Sequence, residues 1–66
     1  MPDKYIGQVI QIIYQDAKGI ITKRIIRVWK IVDGKAIAYD FDKKARRPFR
    51  VDRILAVRPV GNPYAS

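Results

Sequence analysis

The sequence predicts an all-β fold, a small and strongly bent five-stranded barrel. Two observations carry that expectation. The stretches that read as ordered are short and rich in β-branched residues, and tight turn signals separate them without a long helix between.

The first strand is expected over Tyr5 to Tyr14, where Ile6, Val9, Ile10, Ile12 and Ile13 favour an extended backbone and no helix cap precedes them. Asp16-Ala17-Lys18-Gly19 then reads as a hairpin turn. Ile20 to Val32 is a second, long strand that mixes apolar and basic residues. Its alternation breaks near Ile25-Ile26, which predicts a bulge there. Asp33-Gly34 is the strongest short hairpin signal, because glycine accepts the positive φ that a type I′ turn demands. Lys35 to Phe41 is the third strand, Asp42-Lys43-Lys44-Ala45 a loop, and Arg47 to Val51 the fourth strand. One helical turn is expected at Asp52 to Ile54, capped by Asp52. Ile54 to Arg58 forms the fifth strand, ended by Pro59. Residues 1–60 thus read as one domain and 61–66 as a loose tail.

At 66 residues the chain is one domain, and roughly 60% of the unfolded surface can be buried at this size. Cysteine and histidine are both absent, which excludes disulfides, thiolate or imidazole zinc sites and histidine-based acid–base catalysis. No nucleophile–base pair or phosphate-cradling glycine loop occurs, so neither an enzyme nor a cofactor is expected. Fourteen Lys and Arg oppose six acidic residues, a formal charge of +8. That excess attracts polyanions, nucleic acid first among them. No apolar run approaches the roughly 20 residues of a membrane span, and no signal-peptide pattern opens the chain. A cytoplasmic chain is expected.

The most informative stretch is Arg46-Arg47-Pro48-Phe49-Arg50-Val51-Asp52-Arg53-Ile54. On an extended chain side chains alternate between faces, so Arg47 and Phe49 share one side and Arg46, Pro48 and Arg50 the other. Arginine's planar fork on a folded scaffold suits phosphate or carboxylate groups.

The order of motifs resembles the WYL domain family. Ile12-Ile13-Tyr14, the Asp16–Gly19 turn and Lys23-Arg24-Ile25-Ile26 are similar to its opening hairpin. Ala38-Tyr39-Asp40 looks like its Ala-Tyr-Asp/Cys segment, and Arg47 to Ile54 like its Arg-x-Phe-Arg-Leu-Asp-Arg-Ile signature. The resemblance spans about Ile12 to Val57. The naming Trp-Tyr-Leu triplet is absent, with Gly34, Lys35 and Ala36 in its place, and Val28 stands where many members carry proline. The chain therefore resembles a minimal, stand-alone variant. The resemblance implies an Sm-like or SH3-like five-stranded barrel that senses or binds a negatively charged ligand, with nucleotides and single-stranded nucleic acid the leading candidates.

On that basis Arg24, Arg47 and Arg50 are the expected anion site, and Arg24 lies at the family's arginine position. The alternative is that they pair with Asp40, Asp42 and Asp52 in salt bridges worth little. Tyr14 and Tyr39 are expected to offer a stacking face or a hydroxyl to the ligand; the alternative is partial burial with the hydroxyl at the rim. Arg53 is read as a brace for the turn around Asp52, and Trp29 and Phe49 as core or groove wall. Lys23, Arg27, Lys30 and Lys35 read as diffuse positive surface, and Lys43 and Lys44 as a solvated loop pair. The function expected is a non-enzymatic, regulatory binder of nucleotide or single-stranded nucleic acid. The rivals are a protein-interaction or self-association module using exposed sheet edges, and a polyanion binder acting by charge alone.

Overall fold

The computed structural model describes residues 3–61. Five strands, β1 (Val9–Gln15), β2 (Ile21–Val32), β3 (Lys35–Asp40), β4 (Ala45–Arg50) and β5 (Ile54–Gly61), form a single antiparallel sheet in the order β4-β3-β2-β1-β5. The all-β expectation is met. The backbone ladder does not close between β4 and β5, so the described residues form a curled sheet with two edges.

The curl brings non-neighbouring strands together on the concave face. The rings of Tyr14 on β1 and Phe49 on β4 meet edge to face, with centroids 5.1 Å apart at 87°. Ile10, Ile12, Ile26, Val28, Ala38 and Phe49 form the core, with Tyr5, Ile31, Ile54 and Val57 packed around it. Along the regular parts of β1, β2 and β3 these residues alternate, as a pleated sheet buried on one face requires, and the steps of three from Val28 to Ile31 and from Ile54 to Val57 span register shifts. Ala36 and Ala38 keep β3 shallow there, leaving room for Phe49 to lie over the sheet.

The turns follow their sequence chemistry. Asp33 and Gly34 both adopt positive φ, 52° and 74°, as a type I′ turn requires. In the first hairpin Asp16 Oδ1 accepts the backbone N–H groups of Lys18 and Ile20, each at 2.9 Å, and Gly19 supplies φ +85°. A Gly34→Ala variant is expected to lose about 1 kcal/mol from the left-handed backbone alone, because a Cβ there meets nothing within 4 Å. Urea denaturation checks this, with Gly34→Asn as a near-neutral control.

Several boundaries differ from expectation, each for a local reason. A 3-10 turn at Asp3–Tyr5 replaces the expected strand start, and β1 begins only at Val9. Gly7, at φ +85°, breaks the extension and donates its N–H to the Val28 carbonyl at 2.7 Å. The irregularity in β2 lies between Val28 and Lys30, leaving Trp29 as the bulged residue, not at Ile25-Ile26. Ile26 points inward and Ile25 is half-buried on the other face, so that apolar pair keeps the alternation. β4 starts at Ala45 and ends at Arg50. The helical turn falls at Val51–Arg53, one residue early, and no side chain caps it. Asp52 sits inside that turn and Arg50 takes the position before it, its side chain pairing with the Asp52 carboxylate and not with the turn's N–H groups. Pro59 does not end β5, which continues to Gly61; an edge strand tolerates proline where a central one would not. The remainder of the expected tail, residues 62–66, lies outside the described residues.

Candidate anion site

The signature arginines are placed by three different constraints. Phe49 is held in the core, and Arg47 shares its parity, so Arg47 projects from the concave face. Arg50 is the last residue of β4, where the chain turns; its backbone N–H donates to the Tyr14 hydroxyl at 3.1 Å. Val51 then donates its N–H to the Gly34 carbonyl at 2.9 Å, which anchors the 3-10 turn and carries Arg53 back toward the first hairpin. Arg53 Nη1 donates to the Asp16 carbonyl at 3.0 Å.

Together these constraints build one concavity of about 330 Å³, lined by Tyr14, Arg24, Arg47, Arg50 and Arg53 around Phe49, with Asp16 the acidic residue in its wall. The carboxylate of Asp16 is already engaged with turn N–H groups, which leaves the wall electropositive. The expected trio of Arg24, Arg47 and Arg50 is therefore brought together, and Tyr14 with it.

The arginines are not equally free. Arg24 Nη1 donates to Asp40 Oδ2 at 2.8 Å, and its Nε to Thr22 Oγ1 at 3.3 Å. Asp40 is fully buried, and its other oxygen accepts the N–H groups of Asp42 at 2.9 Å and Lys43 at 3.4 Å. Arg50 pairs with Asp52 at 2.9 Å on the surface, where both side chains are more than half exposed. That exposed pair is worth little and opens readily to a ligand. Arg47 is exposed and has neither a hydrogen bond nor an ion pair among the described residues. The salt-bridge alternative thus holds for Arg24 and Arg50 and leaves Arg47 as the one of these three without a partner among the described residues.

No family model, curated protein or solved structure matches this chain. The site is read from its own geometry.

Tyr39 is not part of the cleft. It packs edge to face against Phe41, with centroids 5.1 Å apart, and lines a separate concavity with Arg27, Trp29 and Arg46. The reason is parity: Ala38 and Asp40 point inward on β3, so Tyr39 must point outward. Trp29 is outside the core, at 52% exposed, and forms part of the wall of that second concavity, the groove-wall half of the expectation. Arg53, expected as a brace for the turn around Asp52, braces the Asp16 turn and also lines the cleft. Strand parity gives no signal for this, because Val51–Arg53 is a 3-10 turn. A larger concavity of about 530 Å³ lies between the Asp33-Gly34 turn and the Val51 turn, but it sets Asp33 and Asp52 against Lys35 and Arg50. Its mixed charge gives an anion no preference. Among the described residues no cluster of carboxylates could hold a metal ion, and no helix is long and apolar enough to cross a membrane.

Proposed function

We propose that this chain is a WYL-like domain, a half-open barrel of Sm or SH3 type, that binds a nucleotide or single-stranded nucleic acid in the cytoplasm. It acts as a sensor or regulatory accessory and not as an enzyme. The observation that carries this reading is the convergence of Arg24, Arg47, Arg50 and Arg53 with Tyr14 on one concavity. Arg47 offers an unpaired fork, Arg50 exchanges a weak surface partner for phosphate, and Arg53 supplies fixed positive charge behind them, while Arg24, balanced by Asp40, forms part of the wall. The Tyr14 ring, fixed by Phe49 and by the Arg50 N–H, forms an aromatic wall. The strand order and the 3-10 turn between β4 and β5 support the half-open barrel.

The test is a titration of labelled oligothymidylate of about 16 nucleotides at about 50 and 200 mM salt. Alanine at Arg47 and Arg50 together is expected to weaken binding about tenfold or more. The slope of log K against log salt becomes shallower by about 0.7 for each phosphate contact removed. Unchanged affinity in the double variant would sink the assignment.

Self-association is the second reading, favoured by Ile20 and Ile21, which are 55% and 58% exposed at the entry to β2. Strand addition is the less favoured route, since β4 carries Arg46, Arg47 and Pro48 and β5 carries Arg58 and Pro59, residues that blunt sheet edges. A salt-resistant, concentration-dependent dimer in sedimentation equilibrium would favour this reading over nucleic-acid binding.

A further inference from the structure

We propose that the outer face of β2, β3 and β4 is a base-stacking platform centred on Trp29 and Tyr39, so that the ligand is a strand of several nucleotides and not a mononucleotide. The inference rests on the nucleic-acid reading of the arginine cleft and adds a second surface to it.

Register places Arg27 opposite Tyr39, and Tyr39 opposite Arg46, so cation, aromatic and cation form one row across three strands. Directly opposed residues lie about 5 Å apart at Cβ, a spacing at which all three side chains can touch one ligand. Trp29 shares the parity of Arg27, opposite to buried Ile26 and Val28, and so adds an aromatic to this face, where it is 52% exposed. The Arg46 guanidinium lies 4.1 Å from the Trp29 ring centroid and the Lys30 ammonium 4.8 Å. The concavity between them, about 320 Å³, is lined by Gly7, Arg27, Val28, Trp29, Tyr39 and Arg46, without an acidic residue.

Aromatic faces beside unopposed cations are the arrangement that holds single strands, with bases stacked and phosphates on the cations. A base entering over Trp29 displaces the flexible Lys30 ammonium, which is then free to meet a phosphate. The two surfaces are also joined. Arg46 faces the platform and Arg47 the cleft, and these adjacent residues stand on β4, which is an edge strand among the described residues. A strand passing over that edge meets both surfaces, whereas a mononucleotide occupies one.

Trp29 is the sole tryptophan, so its fluorescence reports this face alone. The full chain is titrated with oligothymidylate of about 16 nucleotides, with thymidine monophosphate and with heparin. The oligonucleotide is expected to quench Trp29, and the monophosphate and heparin are not. Trp29→Ala weakens oligonucleotide binding about tenfold, read by anisotropy of the labelled strand, and leaves monophosphate affinity unchanged. Trp29→Phe recovers most of the loss and Trp29→Leu does not, with circular dichroism confirming the fold of each. The platform is overturned if Trp29 fluorescence stays constant while the strand binds, if heparin quenches it equally, or if Trp29→Ala binds as wild type. Quenching that persists at full affinity in the Arg47→Ala, Arg50→Ala variant removes the cleft and leaves the platform standing. Absence of any strand binding removes both.

Discussion

An Asp40→Ala variant is expected to lose about 3 kcal/mol or more of folding stability. A domain of this length has about 3 to 10 kcal/mol in total, so at the lower end of that range much of the population unfolds at room temperature. Asp40 has no solvent exposure, yet it satisfies three donors: the Arg24 guanidinium and the backbone N–H groups of Asp42 and Lys43. Removing the carboxylate leaves a guanidinium on a side chain only 20% exposed without its counter-charge. It also releases the turn that joins β3 to β4, where Lys44 already holds a positive φ of 53°.

Asp40→Asn separates the two roles. Its amide oxygen can still accept the turn N–H groups, while the charge facing Arg24 is lost, so the expected cost falls to about 1 to 2 kcal/mol. Thermal and urea denaturation of both variants measure this, and each kcal/mol corresponds to about 4 to 8 °C in Tm at this size. An Asp40→Ala midpoint within about 0.5 kcal/mol of wild type would mean that this buried pair does not hold the fold. Arg24→Ala leaves the buried carboxylate unpaired and carries a similar cost. A lost affinity in that variant would therefore report folding as much as ligand contact, which makes Arg47 the cleaner probe of the cleft.

The same residues show how far local pattern reaches. Asp33-Gly34 announced its turn because a type I′ geometry has a residue-level requirement, and both positive φ values follow. Arg47 and Phe49 could be assigned to one face because parity survives along β4. Asp40 reads in sequence only as one of three partners for the arginines in pairs worth little, because its burial depends on β2 delivering Arg24 from 16 residues away. The bulge beside Trp29 is not legible for a related reason: the apolar pair Ile25-Ile26 is the more visible break in pattern, whereas the register shifts only after Val28. Tyr39 was grouped with the arginines by motif, whereas the alternation of Ala38, Tyr39 and Asp40 already assigned it outward. Convergence of the arginines needed the curl of the sheet, which no single strand encodes.

Phe49→Ala is expected to cost about 3 to 5 kcal/mol and to disable the cleft even where the chain remains folded. Phe49 is 3% exposed and belongs to the core cluster, so the truncation opens a cavity that shallow Ala36 and Ala38 beneath it cannot fill. It also removes the edge-to-face contact with Tyr14, worth about 0.5 to 1.5 kcal/mol beyond burial. The functional consequence comes from β4 being an edge strand, with β3 its only ladder partner among the described residues. Phe49 in the core and the Arg50 N–H on the Tyr14 hydroxyl are what tie β4 to β1 across the curl. Without that tie Arg47 and Arg50 lose their fixed positions over the concave face, and oligonucleotide affinity falls with the arginines still present. Phe49→Leu keeps most of the volume, costs about 1.5 kcal/mol or less, and is expected to bind near wild type. A double-mutant cycle of Phe49→Leu with Tyr14→Leu isolates the ring contact, with an expected coupling of about 0.5 to 1.5 kcal/mol. If Phe49→Ala kept full affinity at a temperature where it is folded, the arginines would be positioned by the strand ladder alone, and the curl would have no part in the site.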